Sequence, residues 1–154
     1  MIRRDILRTT ATIPLLALAM CATTPAQIAT DVNLEATAAS AILTAVQALP
    51  GVSSDVIVRV QGYVTKIQAN AALVAATSVA PSTSTVTAIT QDIQAVASIV
   101  LPLLPGGSAI LALVQATTSL LPTILKEAGI TGAASAVTPV YEPDEARRIM
   151  AGAH

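Results

Sequence analysis

Residues 57–74 read Ile-Val-Arg-Val-Gln-Gly-Tyr-Val-Thr-Lys-Ile-Gln-Ala-Asn-Ala-Ala-Leu-Val, and their spacing decides the fold class. Ile57, Val60, Val64, Ile67, Ala71 and Val74 recur at intervals of three and four. Such spacing lines one side of an α-helix, whereas a strand would alternate every second residue. The same rhythm returns in Val86, Ile89, Ile93, Val96, Val100 and Leu103. Shorter versions appear in Ala39, Ile42, Val46 and Leu49, and in Ile110, Val114, Thr117, Leu121 and Ile124. Breaker clusters separate the four stretches: Pro50-Gly51 with Ser53-Ser54, Pro81 to Ser84, Pro105 to Ser108, and Gly129 to Gly132. Short connections between long helices favour antiparallel neighbours, so the spacing predicts an all-α, up-down bundle of four helices.

Local chemistry marks the helix ends. Asp31, Ser53 or Ser54, Ser84 and Ser108 are expected to cap the four helices in turn. Lys126 before Gly129 suits a helix C-terminus, and Asp55 and Arg59 stand one turn apart with the acid first. Pro102 and Pro122 each remove a backbone hydrogen bond, so a bend or an early end is expected at both. Beyond Gly132 a spacer of small residues and Pro leads to Tyr141-Glu-Pro-Asp-Glu-Ala-Arg-Arg-Ile-Met150. Pro143 in a first turn, acids after it and arginines a turn later describe a short C-terminal helix on a tether. Its charges read as a solvated face, with Tyr141, Arg147, Arg148, Ile149 and Met150 as a candidate docking tail.

Composition narrows the classes of function. Of 154 residues 53% are hydrophobic, yet there is no Phe or Trp and only two Tyr. Stability must come from many small aliphatic contacts, since each aromatic ring can bury roughly 150–250 Å². The only cysteine is Cys21 and the only histidine is His154, which leaves no parts for a zinc site or a histidine-based nucleophile system. Glu35, Asp55, Asp92 and Glu127 fall on different helices, and no Glu-x-x-His pair can form. Tyr63 and Lys66 are three apart where a dehydrogenase couple needs four and a glycine-rich loop. Gly106-Gly107-Ser108 reads as a turn and cap. No catalytic residue, cofactor site or metal site is therefore assigned, and the chain is not expected to be an enzyme.

The N-terminus has a different character. A basic start, Met-Ile-Arg-Arg-Asp-Ile-Leu-Arg, precedes the thirteen uncharged residues Thr9 to Cys21, and small residues follow to Ala26. This order is the plan of an export signal: the basic end stays behind while the apolar segment enters the translocation machinery. Arg3-Arg4-Asp5-Ile6-Leu7-Arg8 resembles the twin-arginine type of signal peptide. Ile6 stands where that pattern often has Phe, and Arg8 where it often has Lys. Leu18-Ala19-Met20-Cys21 is similar to a lipobox, whose cysteine is lipidated, although Met20 departs from the small residue expected there. The competing site for cleavage follows Ala26. These readings divide the chain into a signal peptide (1–26), a four-helix bundle (27–131), and a linker with a short helix (132–154). Removal of residues 1–26 leaves five basic against eight acidic residues, a net −3, and no basic stripe for nucleic acid.

The expected function is binding or scaffolding in the periplasm or at an envelope membrane. The resemblance, compositional only, is to small bacterial envelope proteins and lipoproteins. Expected partners are the export machinery, an unknown protein or a second copy, with membrane association through a lipid on Cys21. An alternative is a holin-like or pore-forming protein, because residues 93–125 are 33 in a row without a charge. Gln115, Thr117, Thr118 and Ser119 at the centre of that stretch weigh against insertion.

Overall fold

The computed structural model describes residues 24–130 and 138–152. The export-signal residues Arg3, Arg4, Ile6, Leu7 and Arg8, and the candidate lipidation residue Cys21, lie outside the described residues. Five helices make up the described chain: α1 (Pro25–Ala48), α2 (Ser54–Ala76), α3 (Thr83–Val100), α4 (Ala109–Glu127) and α5 (Pro143–Ala151). A single 3-10 turn, Leu101–Leu103, extends α3. Among the described residues there is no strand.

The apolar stripes become the interior. Val60, Val64, Ile67, Ala71 and Val74 of α2 are buried, as are Val86, Ile89, Ile93, Val96 and Val100 of α3. Helices α1 and α2 run antiparallel. Gln68 Nε2 donates to Ser40 Oγ at 2.9 Å, and Asn33 to Ser40 lie opposite Gln68 to Ala75. At mid-height Ala39, Ile42, Ile67, Ile93, Val96, Ala97, Val114 and Thr117 meet in one layer contributed by α1 to α4. The void left among them is about 10 Å³, so branched aliphatic side chains fill the centre without aromatic rings.

Most of the expected ends are found, with two corrections. Ser53, Ser82 and Ser108 each accept a hydrogen bond from the backbone N–H three residues on, at 3.4, 3.2 and 3.2 Å. The cap of α3 is therefore Ser82 and not Ser84, whose hydroxyl instead lies 3.1 Å from that of Ser82. Asp31 is no cap either. Helix α1 begins at Pro25, where a fixed φ and a missing N–H suit the first turn, and Asp31 falls inside the helix. At the far end of α4, Gly129 adopts φ 74°, and the N–H of Ile130 reaches back to Leu125 O at 2.9 Å. A side chain at Gly129 would be strained in this left-handed stop.

The prolines behave differently from one another. At Pro102 the α-helix has already given way to the 3-10 turn. At Pro122 the helix carries on to Glu127, because Leu120, Leu121, Ile124 and Leu125 are buried on either side of it. Their packing outweighs the lost hydrogen bond.

The C-terminal helix is seated on the bundle, and its inner face is not solvated. Helix α5 packs against α4 and α1. Ala146 and Met150, four apart on one face, are fully buried, while Ile149 and Tyr141 are half-buried. Arg148 remains exposed.

Truncation at the central layer checks this account. Ile67→Ala should lower unfolding free energy by about 2–5 kcal/mol in urea titration. Val58→Ala, at a side chain 65% exposed, should change it by less than about 0.5 kcal/mol.

Candidate functional site

The charged residues that meet inside the fold come from α1, α4 and α5. Asp31 and Glu35 stand one turn apart on α1, and both are fully buried. The stripe Ala39, Ile42 and Val46, extended backward by steps of four and three, passes through Glu35, Val32 and Ile28. Asp31 neighbours that stripe on the side facing α5. From α5, Arg147 grips Asp31 with two nitrogens: Nε donates to Oδ1 at 3.0 Å and Nη2 to Oδ2 at 2.7 Å. Gln27 Nε2 also donates to Asp31 Oδ1, at 3.2 Å. The planar guanidinium matches both carboxylate oxygens, the geometry in which a charge-assisted pair is strongest. Asp144 caps the same guanidinium, accepting from Nη1 at 2.9 Å, and Glu127 Oε1 lies 3.7 Å from Nη2.

A second anchor lies on α4. The buried Ser119 Oγ accepts the backbone N–H groups of Val140 at 2.9 Å and Tyr141 at 3.2 Å. The hydroxyl thus fixes the chain just before α5, where backbone donors would otherwise need water. Thr117 and Thr118, its neighbours, donate to carbonyls of their own helix, Leu113 O at 2.6 Å and Val114 O at 3.1 Å.

The carboxyls are unequally served. Both oxygens of Asp31 are hydrogen-bonded, whereas among the described residues neither oxygen of Glu35 has a hydrogen-bond partner, nor has Glu127 Oε2. Burial pushes Glu35 well above the usual carboxylate range, and the negative Asp31 pushes it further. Burial also raises Glu127, Asp31 adds to the shift, and Arg147 opposes it. The hydrogen bonds that Arg147 donates to Asp31 raise its pKa above the ordinary value, so its charge is permanent. Chemically the cluster is one guanidinium shared among the carboxyls of Asp31, Glu127 and Asp144, with a fourth carboxyl, Glu35, buried one turn from Asp31. Among the described residues no group of His, Cys, Asp and Glu is placed to hold a metal ion.

The candidate docking residues are thus largely occupied within the chain itself. Arg147 and Met150 face inward, Ile149 and Tyr141 are half-buried, and Arg148 points to solvent. Glu35 and Asp31 escape a sequence reading that looks for acids on the surface. The signal that could have found Glu35 is its place on the apolar stripe of α1. Elsewhere, Lys66 Nζ stands 5.4 Å from the centre of the Tyr63 ring, a surface cation–π contact.

Two outcomes follow from this geometry. Arg147→Ala should destabilise by about 3–5 kcal/mol, read by chemical denaturation at pH 7, because it strands a buried charge on Asp31. Burial raises Glu35, Glu127 and Asp92, and Glu35, raised well above its ordinary value, gives the clearest pH test. Its folded pKa is raised, so the native state holds a proton that the unfolded chain releases above roughly pH 4.3. Stability from this group is full below that pH and falls as pH climbs toward the raised value. Glu35→Leu should therefore raise the urea midpoint at pH 8 more than at pH 5.

No family model, no curated protein and no solved structure matches this chain.

Proposed function

We propose that this chain is an exported, non-catalytic helical protein that acts by binding or scaffolding in the bacterial envelope. The observation that carries the reading is the order of the N-terminus: Arg3, Arg4 and Arg8, then the uncharged Thr9 to Cys21, then small residues to Ala26. The bundle's geometry is compatible with loss of that segment. Its buried apolar residues run from Ile28 to Met150, so cleavage on either side of Ala22 to Ala26 leaves them in place. The non-catalytic part is supported by the state of the acid cluster. Asp31 and Glu35 are sealed from solvent, and the guanidinium beside Asp31 is spent on a structural pair. Periplasmic residence, and a lipid on Cys21 as the means of membrane attachment, belong to the same proposal.

A second reading, a membrane-active or holin-like protein, has its own support. Thr83–Leu103 and Ala109–Glu127 are long and apolar enough to cross a membrane by length and composition. The hydroxyls of Thr117 and Thr118, bonded to their own helix, would lower the cost of entering lipid. Within the bundle, however, 56% of the Ala109–Glu127 window is buried, as in the core helix of a soluble protein, and 39% of the Thr83–Leu103 window is buried. The bundle reading is preferred on that ground.

Intact mass spectrometry of the protein from its own host, with soluble and membrane fractions kept apart, separates the readings. The exported bundle predicts a chain beginning near Gln27 in the soluble fraction, or at a lipid-modified Cys21 in the membrane fraction. A chain that keeps Met1 in the membrane fraction would overturn export and favour the holin-like reading.

A further inference from the structure

Glu35 presents an unusual combination. It is fully buried, both of its oxygens lack a partner, and it sits one turn from a carboxylate that already holds the local cation. A buried carboxylate without a partner is costly enough that the group must stay neutral, gain a cation or gain water. Among the described residues no second cation is within the cluster. On α1 its charged neighbour is Asp31. From α4 comes Glu127, with Lys126 exposed to solvent. From α5 come Asp144 and Arg147, with Glu145 and Arg148 exposed. Helix α2 carries Asp55, Arg59 and Lys66 on its exposed surface, and α3 carries the half-buried Asp92, in the field of Lys66. One guanidinium, Arg147, is thus shared among Asp31, Glu127 and Asp144.

Water has one economical route to this place. Helices α1 to α4 are 18 to 24 residues long, whereas α5 has nine. Helix α5 is held by the Arg147–Asp31 fork, the two N–H groups on Ser119, and the burial of Ala146 and Met150. Lifting it uncovers Asp31, and on α1 Glu35 lies between Asp31 and Ala41 to Ala45, the places where α5 residues meet that helix.

We propose that α5 is a proton-dependent latch, in which the closed seating of α5 on α1 and α4 requires Glu35 to carry a proton. Closing takes up that proton and opening releases it, so rising pH favours the open form. Opening also frees the half-buried Ile149, together with Ala41, Ala45, Ile110 and Leu113 that line a groove with it. Charge balance sets the direction: ionised Glu35 would be a further negative group one turn from Asp31, whose guanidinium is already taken.

Amide hydrogen exchange on the full chain, corrected for the intrinsic effect of pH, tests this locally. Protection of residues 140–152 should fall by up to about tenfold per pH unit above the ordinary carboxylate range, the slope of one released proton. Amides of α2 and α3 should lose markedly less. In Glu35→Gln the slope for residues 140–152 should fall to no more than the part that the raised Glu127 supplies, and Glu127→Gln should leave most of the wild-type slope in place. In Asp31→Asn those residues should exchange faster at every pH. Equal loss of protection in all five helices would overturn the latch and leave Glu35 a matter of global stability. The wild-type comparison of α5 with α2 and α3 decides this even if a variant fails to fold. An unchanged slope in Glu35→Gln would assign the proton to another group and equally overturn the proposal.

Discussion

Asp31 loses its water when α1 packs, and the guanidinium of Arg147 stands in for that water. Much of the fold around α5 follows from this replacement. The carboxylate is fully buried in the first third of the chain, and its partner is supplied near the other end. To bring Arg147 into place the chain must lay α5 across α1 and α4, and Ser119 holds the approach through two backbone N–H groups. Buried pairs of this kind add little net stability compared with apolar substitutes, but they penalise any arrangement in which one partner is missing. The pair therefore fixes where α5 sits more than it strengthens the bundle.

The rest of the core works by a different rule. With no Phe or Trp, the interior relies on Val, Ile, Leu and Ala placed at every third and fourth position, and four helices share the central layer. Small side chains let helices approach closely, and dispersion contacts accumulate from many modest contributors. Hydroxyls buried in this setting are satisfied locally. Thr90, Thr117 and Thr118 bond to carbonyls one turn earlier on their own helices, so they add no unpaired donors to the interior.

The helices were legible because periodicity and breakers act locally. Val60 to Val74 and Val86 to Val100 predict their own burial, and Ser53 and Ser108 their own caps. Asp31 and Ser84 were misplaced because a cap depends on where the helix starts, and Pro25 and Ser82 set those starts. The acid cluster was not legible. Its members lie as far apart as residues 31 and 147, and an acid's spacing does not reveal whether a cation will meet it. The clue from Glu35 was present, since it continues the stripe of Ile28 and Val32, but a charged residue on a stripe reads first as an interruption.

The separation between Asp31 and Arg147, 116 residues, has a consequence for the order in which the chain matures. Synthesis delivers α1 early, and its acid stays unmatched until nearly the whole chain has emerged. Contacts between neighbouring helices can form on the way, but the fork closes a loop of 116 residues and so comes late and at a larger entropic cost than those contacts. Until then the nascent chain lacks the contact that seats its last helix. A chain stopped short of residue 147 would keep its helical repeats and still be marked as incomplete by a single unanswered charge.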